Sequence, residues 1–212
     1  MKLIRILTLG LAFLALPAMA ADEITATEHV LVRTNLGEFV IALDAKQAPK
    51  TVENFLTYVD SGFYTNTIFH RVISGFMIQG GGYDSTFKRK DTRSAVINEA
   101  ENGLTNRRAR VAMARTFDPH SASSQFFINM VDNHFLDHRA PTPGDFGYAV
   151  FGEVVSGMEV VDQTAQLQTG PGGEFSKDVP LTLVIIEQMQ RTQAPAPSSE
   201  RLSPTSPTNK GK

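Results

Sequence analysis

Between His29 and Met189 the apolar residues fall in short runs, several of them alternating with polar residues and most set apart by Gly, Asn, Asp or Pro. That pattern suits β-strands and leaves little room for helix. Two β-branched runs flank Asn35-Leu36-Gly37, and in the second Phe39, Ile41 and Leu43 share one face, so His29 to Leu43 is predicted to be a β-hairpin. Further strands are expected at Thr67 to Ile73, Phe76 to Gln79, Ala109 to Met113, Gln125 to Asn129, Ala149 to Val155 and Val179 to Met189. Helical spacing occurs twice. Val52, Phe55, Leu56 and Val59 follow Pro49, which suits a first helical turn, and predict a helix over Pro49 to Asp60 before Gly62. Met158, Val161 and Ala165 follow Gly157 in the same way. Two helices are too few for alternating βαβ units, so the fold class is mainly β, and a closed antiparallel barrel best removes exposed strand edges.

Outside this body the composition changes. Lys2 and Arg5 precede an apolar stretch from Ile6 to Leu16, and Ala18-Met19-Ala20 forms a small-x-small site, so residues 1–20 read as a signal peptide cleaved before Ala21. The alternative, an uncleaved membrane anchor, needs about 20 apolar residues and this run is shorter. No stable membrane insertion is expected after cleavage. Residues 192–212 turn to Pro, Ser, Thr, Gln and Lys without apolar periodicity and are expected to be a disordered tail, leaving 21–191 as a single domain. Cysteine is absent, which excludes disulfides, thiol nucleophiles and thiolate metal sites. A signal peptide before a cysteine-free domain fits a periplasmic protein. The 20 Lys and Arg against 22 Asp and Glu offer no electrostatic basis for a nucleic-acid partner, and a monomer is expected.

One segment places a cation and an amide among large apolar side chains: Phe69-His70-Arg71-Val72-Ile73-Ser74-Gly75-Phe76-Met77-Ile78-Gln79-Gly80-Gly81. Folded as two strands joined near Ser74-Gly75, it can send Arg71, Phe76, Met77 and Gln79 toward one groove. A second segment, Ser123-Ser124-Gln125-Phe126-Phe127-Ile128-Asn129, turns Gln125 and Phe127 to one face and Phe126 and Ile128 to the other. These two motifs resemble the signatures of the cyclophilin family of peptidyl-prolyl cis/trans isomerases, and weaker matches through Phe151-Gly152-Glu153-Val154 and Gly157-Met158 extend the similarity over about residues 29 to 190. The resemblance implies an eight-stranded antiparallel β-barrel capped by two α-helices. It implies Arg71 as the catalytic guanidinium, with Phe76, Met77, Phe127 and Leu136 walling a proline pocket and Gln79, Ala114 and Gln125 lining the peptide groove. Phe135, Tyr148 and Arg115 stand where many relatives have Trp, His and Asn, and Phe135 and Tyr148 join the substrate-binding set. Residues 137–147 replace a shorter family loop.

The implied chemistry needs no bond broken. Rotation about a peptide bond meets a barrier of about 18 to 20 kcal/mol, and X-Pro bonds interconvert over tens to hundreds of seconds. A guanidinium beside the prolyl nitrogen can hydrogen-bond the lone pair as it leaves conjugation, while an apolar pocket holds the ring. No metal, nucleotide or other cofactor is required, and the partners are proline-containing segments of folding exported proteins. A binding module or holdase on the same barrel is the alternative. Arg71 favours an enzyme, since holding a proline ring needs no cation at the amide nitrogen. Other motifs carry little: no Lys-Ser/Thr follows Gly80-Gly81-Gly82, no metalloprotease glutamate lies between His134 and His138, and Ser121, Ser123 and Ser124 lack a nucleophile elbow.

Overall fold

A computed structural model of the chain describes residues 22–195. The proposed signal peptide and most of the proposed tail lie outside these residues. The hairpin forms as expected: β1 (Glu28–Thr34) and β2 (Gly37–Leu43) pair in unbroken register with Val30 opposite Ile41 and Val32 opposite Phe39. Asn35 ties the turn across the sheet, since its Oδ1 accepts the Ile185 N–H and its Nδ2 donates to the Leu183 carbonyl. Helix α1 (Pro49–Asp60) then buries Val52, Phe55, Leu56 and Val59. Its N-cap, Ala48, has no side-chain oxygen to offer, and the orphan first-turn donors are met from far along the chain. Glu99 accepts the N–H groups of Lys50 and Thr51 and the Thr51 hydroxyl. Phe55 packs at 5.1 Å on Phe151 and 5.7 Å on Phe126, which seats α1 on the barrel interior.

Nine strands make one antiparallel sheet. After the hairpin come β3 (Thr67–Ile68), β4 (Arg71–Ile73), β5 (Met77–Gly80), β6 (Arg110–Met113), β7 (Phe126–Asn129) and β8 (Val150–Ser156). Helix α2 (Met158–Ala165), β9 (Thr169–Gly172), β10 (Phe175–Pro180) and β11 (Ile185–Thr192) complete the fold. The sheet order is β3-β11-β1-β2-β8-β6-β7-β5-β4. Its two end strands are separated in the chain by Phe69 and His70 alone, so the sheet has to curl until its ends lie within three Cα steps, about 11 Å. The expected strand Thr67 to Ile73 is thus one segment serving both edges. Taken as one strand it brings the total to eight, but β3 and β4 do not pair with each other and the ladder is not closed by hydrogen bonds.

Three departures from the sequence reading have local causes. Val179 to Met189 is not one strand: β10 ends at Pro180 and β11 starts at Ile185. The β9–β10 hairpin was not foreseen, because Thr169 to Pro180 has no apolar alternation, and the hairpin forms a separate two-stranded sheet. Thr192, assigned to the tail, pairs with His29 as the last residue of β11. Gly157 opens α2 with a φ of 75°, where an added Cβ would lie 2.2 Å from the Glu38 carbonyl. A side chain there would push α2 off β2.

Strand alternation divides the apolar residues into two bodies. Phe126 and Ile128 of β7, Val111 and Met113 of β6 and Ile78 of β5 face the barrel interior with Phe39, Ile41, Phe55 and Phe151. Phe127, Ala112 and Met77 face out, where Leu104, Val150, Phe76, Leu136 and Tyr148 cover them. This second cluster holds most of the apolar residues expected at the site.

Candidate functional site

Strand register sets the site. Arg71 is opposite Gln79, Gln79 opposite Phe127, and Phe127 opposite Ala112, so one outward row crosses β4, β5, β7 and β6. Directly opposed residues share a face, and the four side chains therefore stand side by side. A cavity of about 100 Å³ opens above the row, lined by Arg71, Phe76, Met77, Gln79, Ala114, Phe127, Leu136 and Tyr148, together with Arg115. That volume is far below the roughly 300 to 1,000 Å³ of sites that enclose drug-sized molecules and suits one small ring. Phe127 and Tyr148 meet edge to face at 5.6 Å on one wall.

Arg71 is about half exposed. Its Nε lies 4.0 Å from Asp178 Oδ2, and its Nη1 lies 3.5 Å from Gln79 Oε1, a long hydrogen bond. Gln79 Nε2 in turn donates to Gln125 Oε1 at 2.9 Å. Gly82 leaves the space that Gln125 fills, since a Cβ there would come within 2.6 Å of the amide. His70, beside the cation, points away into a sealed slot between Tyr83 at 4.8 Å and Phe175 at 5.2 Å. Among the described residues its Nδ1 has no hydrogen-bond partner. Burial pushes this imidazole down to about 4; the Ile68 carbonyl opposes the shift and the Arg71 charge adds to it.

Eight of the ten predicted site residues line this cavity. Gln125 instead lines an adjoining cavity of about 110 Å³, which shares Gln79, Ala114 and Arg115 with the first and adds Arg89, Thr116, Ser121 and Ser123. Phe135 is outside both linings: it is 61% exposed and stacks on Phe76 at 5.7 Å, on the rim. Sequence reasoning singled out Arg115 only as a departure from the family, and Asp178 not at all, because it belongs to the unforeseen hairpin.

Behind the walls lies a buried polar frame that the sequence did not announce. Asn133 Nδ2 donates to the Phe76 carbonyl and to Asn129 Oδ1, Asn129 Nδ2 donates to Asn106 Oδ1, and Asn106 donates through its backbone N and Nδ2 to Asp137 Oδ1. The Tyr148 N–H donates to the Leu136 carbonyl, and the Leu136 N–H to that of Asn133. Three pocket walls from separate stretches are thereby fixed to one another. Each buried amide left unpaired would cost about 1 to 3 kcal/mol, which makes the frame stiff.

Comparison with known proteins agrees with this geometry. The family model for cyclophilin type peptidyl-prolyl cis-trans isomerase matches residues 29–191. Peptidyl-prolyl cis-trans isomerase A of Dickeya dadantii is 53% identical over 171 residues, covering 81% of this chain and 86% of that protein. Peptidyl-prolyl cis-trans isomerase B of Escherichia coli is 53% identical over 160 residues, covering 76% and 97%. Among solved structures, a cyclophilin type isomerase of Cryptosporidium parvum aligns with a TM-score of 0.63 at 28% identity, covering 79% of this chain and 99% of that one. The same protein was also solved in the presence of the dipeptide Ala-Pro, with a TM-score of 0.63 to this chain.

Proposed function

This chain belongs to the family of cyclophilin-type peptidyl-prolyl cis-trans isomerases and is itself such an isomerase, and on that footing we propose how its groove works and where it acts. The proline ring enters the cavity above Phe127 and is held by Phe76, Met77, Leu136 and Tyr148. The peptide on either side runs over Gln79, Ala114 and Gln125. Arg71 at the mouth donates to the prolyl nitrogen as the bond twists. In the planar amide that nitrogen is conjugated and accepts poorly, so the hydrogen bond strengthens mainly at the transition state, where it lowers the barrier. Were the site to remove about 7 kcal/mol in total, the rate would rise about 10⁵-fold. The observation that carries this reading is the cross-strand row of Arg71, Gln79 and Phe127, which sets a cation at the edge of a ring-sized cavity whose apolar walls include Phe76, Met77, Phe127 and Leu136. That a related isomerase was solved in the presence of the dipeptide Ala-Pro supports a proline-sized occupant.

The substrates are X-Pro segments of exported proteins, met in the periplasm. The basic, apolar and small-residue order of residues 1–20 supports this. Intact-mass measurement of the protein from the periplasmic fraction is expected to give a chain starting at Ala21, and Met1 retained in that fraction would contradict export by cleavage.

A further inference from the structure

We infer that Arg115 is a positioning residue for the proline cavity, clamping two loops together and bracing the Tyr148 wall. The inference rests on the reading of that cavity as the ring site. Arg115 follows β6 and sits between the two cavities, lining both. Its Nε donates to the Gly147 carbonyl at 2.9 Å, Nη1 to the carbonyls of Thr116 at 2.9 Å and Phe117 at 3.4 Å, and Nη2 to that of Pro143 at 3.1 Å. Every one of these partners is a neutral backbone oxygen, so the guanidinium serves here as a rigid fork of donors and not as half of an ion pair.

Its guanidinium carbon sits over the Tyr148 ring, 4.6 Å from the ring centre. Tyr148 packs edge to face on Phe127 and donates its N–H to the Leu136 carbonyl. Three walls of the cavity therefore stand on one line of contacts that starts at Arg115. The loop that the guanidinium holds has little else to hold it. Among the described residues, the other hydrogen bonds of Ala140 to Asp145 stay within Arg139 to Phe146, and residues 141–144 are exposed. Such a stretch opens easily when its outside tie is removed. Gly147 is the fixed end of that loop: its φ is 77°, an added Cβ would lie 2.6 Å from the His138 nitrogen, and its carbonyl also accepts Asn98 Nδ2.

The clamp acts on the wall that holds the ring in both ground and transition states, so its loss weakens binding without touching the twisting step. Lysine keeps the charge but has neither the fork nor the flat face. Arg115→Lys and Arg115→Gln are therefore both expected to raise KM for an X-Pro peptide about three- to tenfold, with kcat within about twofold of parental, by NMR line-shape analysis. Hydrogen exchange at the amides of Asp145, Phe146 and Tyr148 is expected to quicken about tenfold or more while the thermal midpoint holds. Parental KM in Arg115→Lys would overturn the clamp, because charge alone would then suffice, and parental KM in both variants would overturn any positioning role. Phe127→Ala in the same assay separates the two levels. If it too leaves KM unmoved, the cavity is not the ring site; if it raises KM while both Arg115 variants are silent, only the clamp fails.

Discussion

The buried His70 imidazole makes stability depend on pH in a calculable way. The residue is 3% exposed, its ring packed between Tyr83 and Phe175, with Nδ1 unpaired among the described residues and the Arg71 charge next to it. In the folded protein it titrates at about 4, against 6.5 when free. Above 6.5 it is neutral in both states and costs nothing. Below 6.5 the unfolded chain takes up a proton that the folded one refuses, so stability falls progressively as the pH drops toward 4. At 1.36 kcal/mol per unit, the loss from this one group between pH 7.0 and 4.5 comes to about 2 to 3 kcal/mol. His70→Phe keeps an aromatic ring in the slot and removes the titration. Urea unfolding of parent and variant at both pH values, at one ionic strength, isolates the term, because every other titrating group is common to both. The parent is expected to lose about 2 to 3 kcal/mol more than the variant, a difference of about 1 to 2 M in midpoint at a slope near 1.5 kcal/mol per molar. Parallel losses within about 0.5 kcal/mol would refute the argument, since His70 would then be charging freely and the slot would not be sealed.

Other outcomes follow from the same geometry. Phe127→Ala removes the floor of the cavity and an edge-to-face partner of Tyr148, so binding and turnover of an X-Pro peptide should fall together, by about tenfold or more in kcat/KM, with the fold retained by circular dichroism. Phe135→Trp keeps a ring on Phe76 and adds an N–H donor at the exposed rim. Titration with a cyclosporin-type inhibitor should show a gain of about 0.5 to 1.5 kcal/mol, with turnover changed less. Deleting residues 196–212 should leave thermal midpoint and activity nearly unchanged, because β11 is complete at Thr192.

The parts of the fold that were legible in advance are those decided by neighbours in sequence. The first hairpin and α1 follow from period-two and helical spacing beside Asn35-Leu36-Gly37 and Pro49. The outward row is legible once Thr67 to Ile73 and Phe76 to Gln79 are read as adjacent strands, because alternation sets the faces. What stayed hidden is what distant segments do to one another. Thr67 to Ile73 breaks at Phe69, whose ring turns into the core against Gly80 and Phe126 while the chain changes partners from β11 to β5. The β9–β10 hairpin exists because Gly172 and Gly173 let the chain lie flat on Phe87, and Phe175 covers His70. Asn106 and Asn133 look like ordinary turn residues and Asn129 like the end of a strand, and the three become a buried frame only where separate stretches meet. Phe135 shows the opposite case: the resemblance that put it in the substrate-binding set could not report that its ring stacks on Phe76 at an exposed rim.

The central claim is that Arg71 acts on the twisting bond and not on the resting peptide. NMR exchange measurements on one X-Pro peptide with Arg71→Ala, alongside circular dichroism for folding, test it directly. Losing a charge-assisted hydrogen bond at the transition state should cost about 2 to 4 kcal/mol, so kcat should fall about thirty-fold to nearly a thousand-fold while peptide affinity changes much less. Arg71→Lys should recover little, since an ammonium cannot face Asp178, Gln79 and the prolyl nitrogen with one planar group. A folded Arg71→Ala protein that isomerises the peptide at near the parental rate would contradict the account and leave the cavity as a proline-binding site whose turnover has another source.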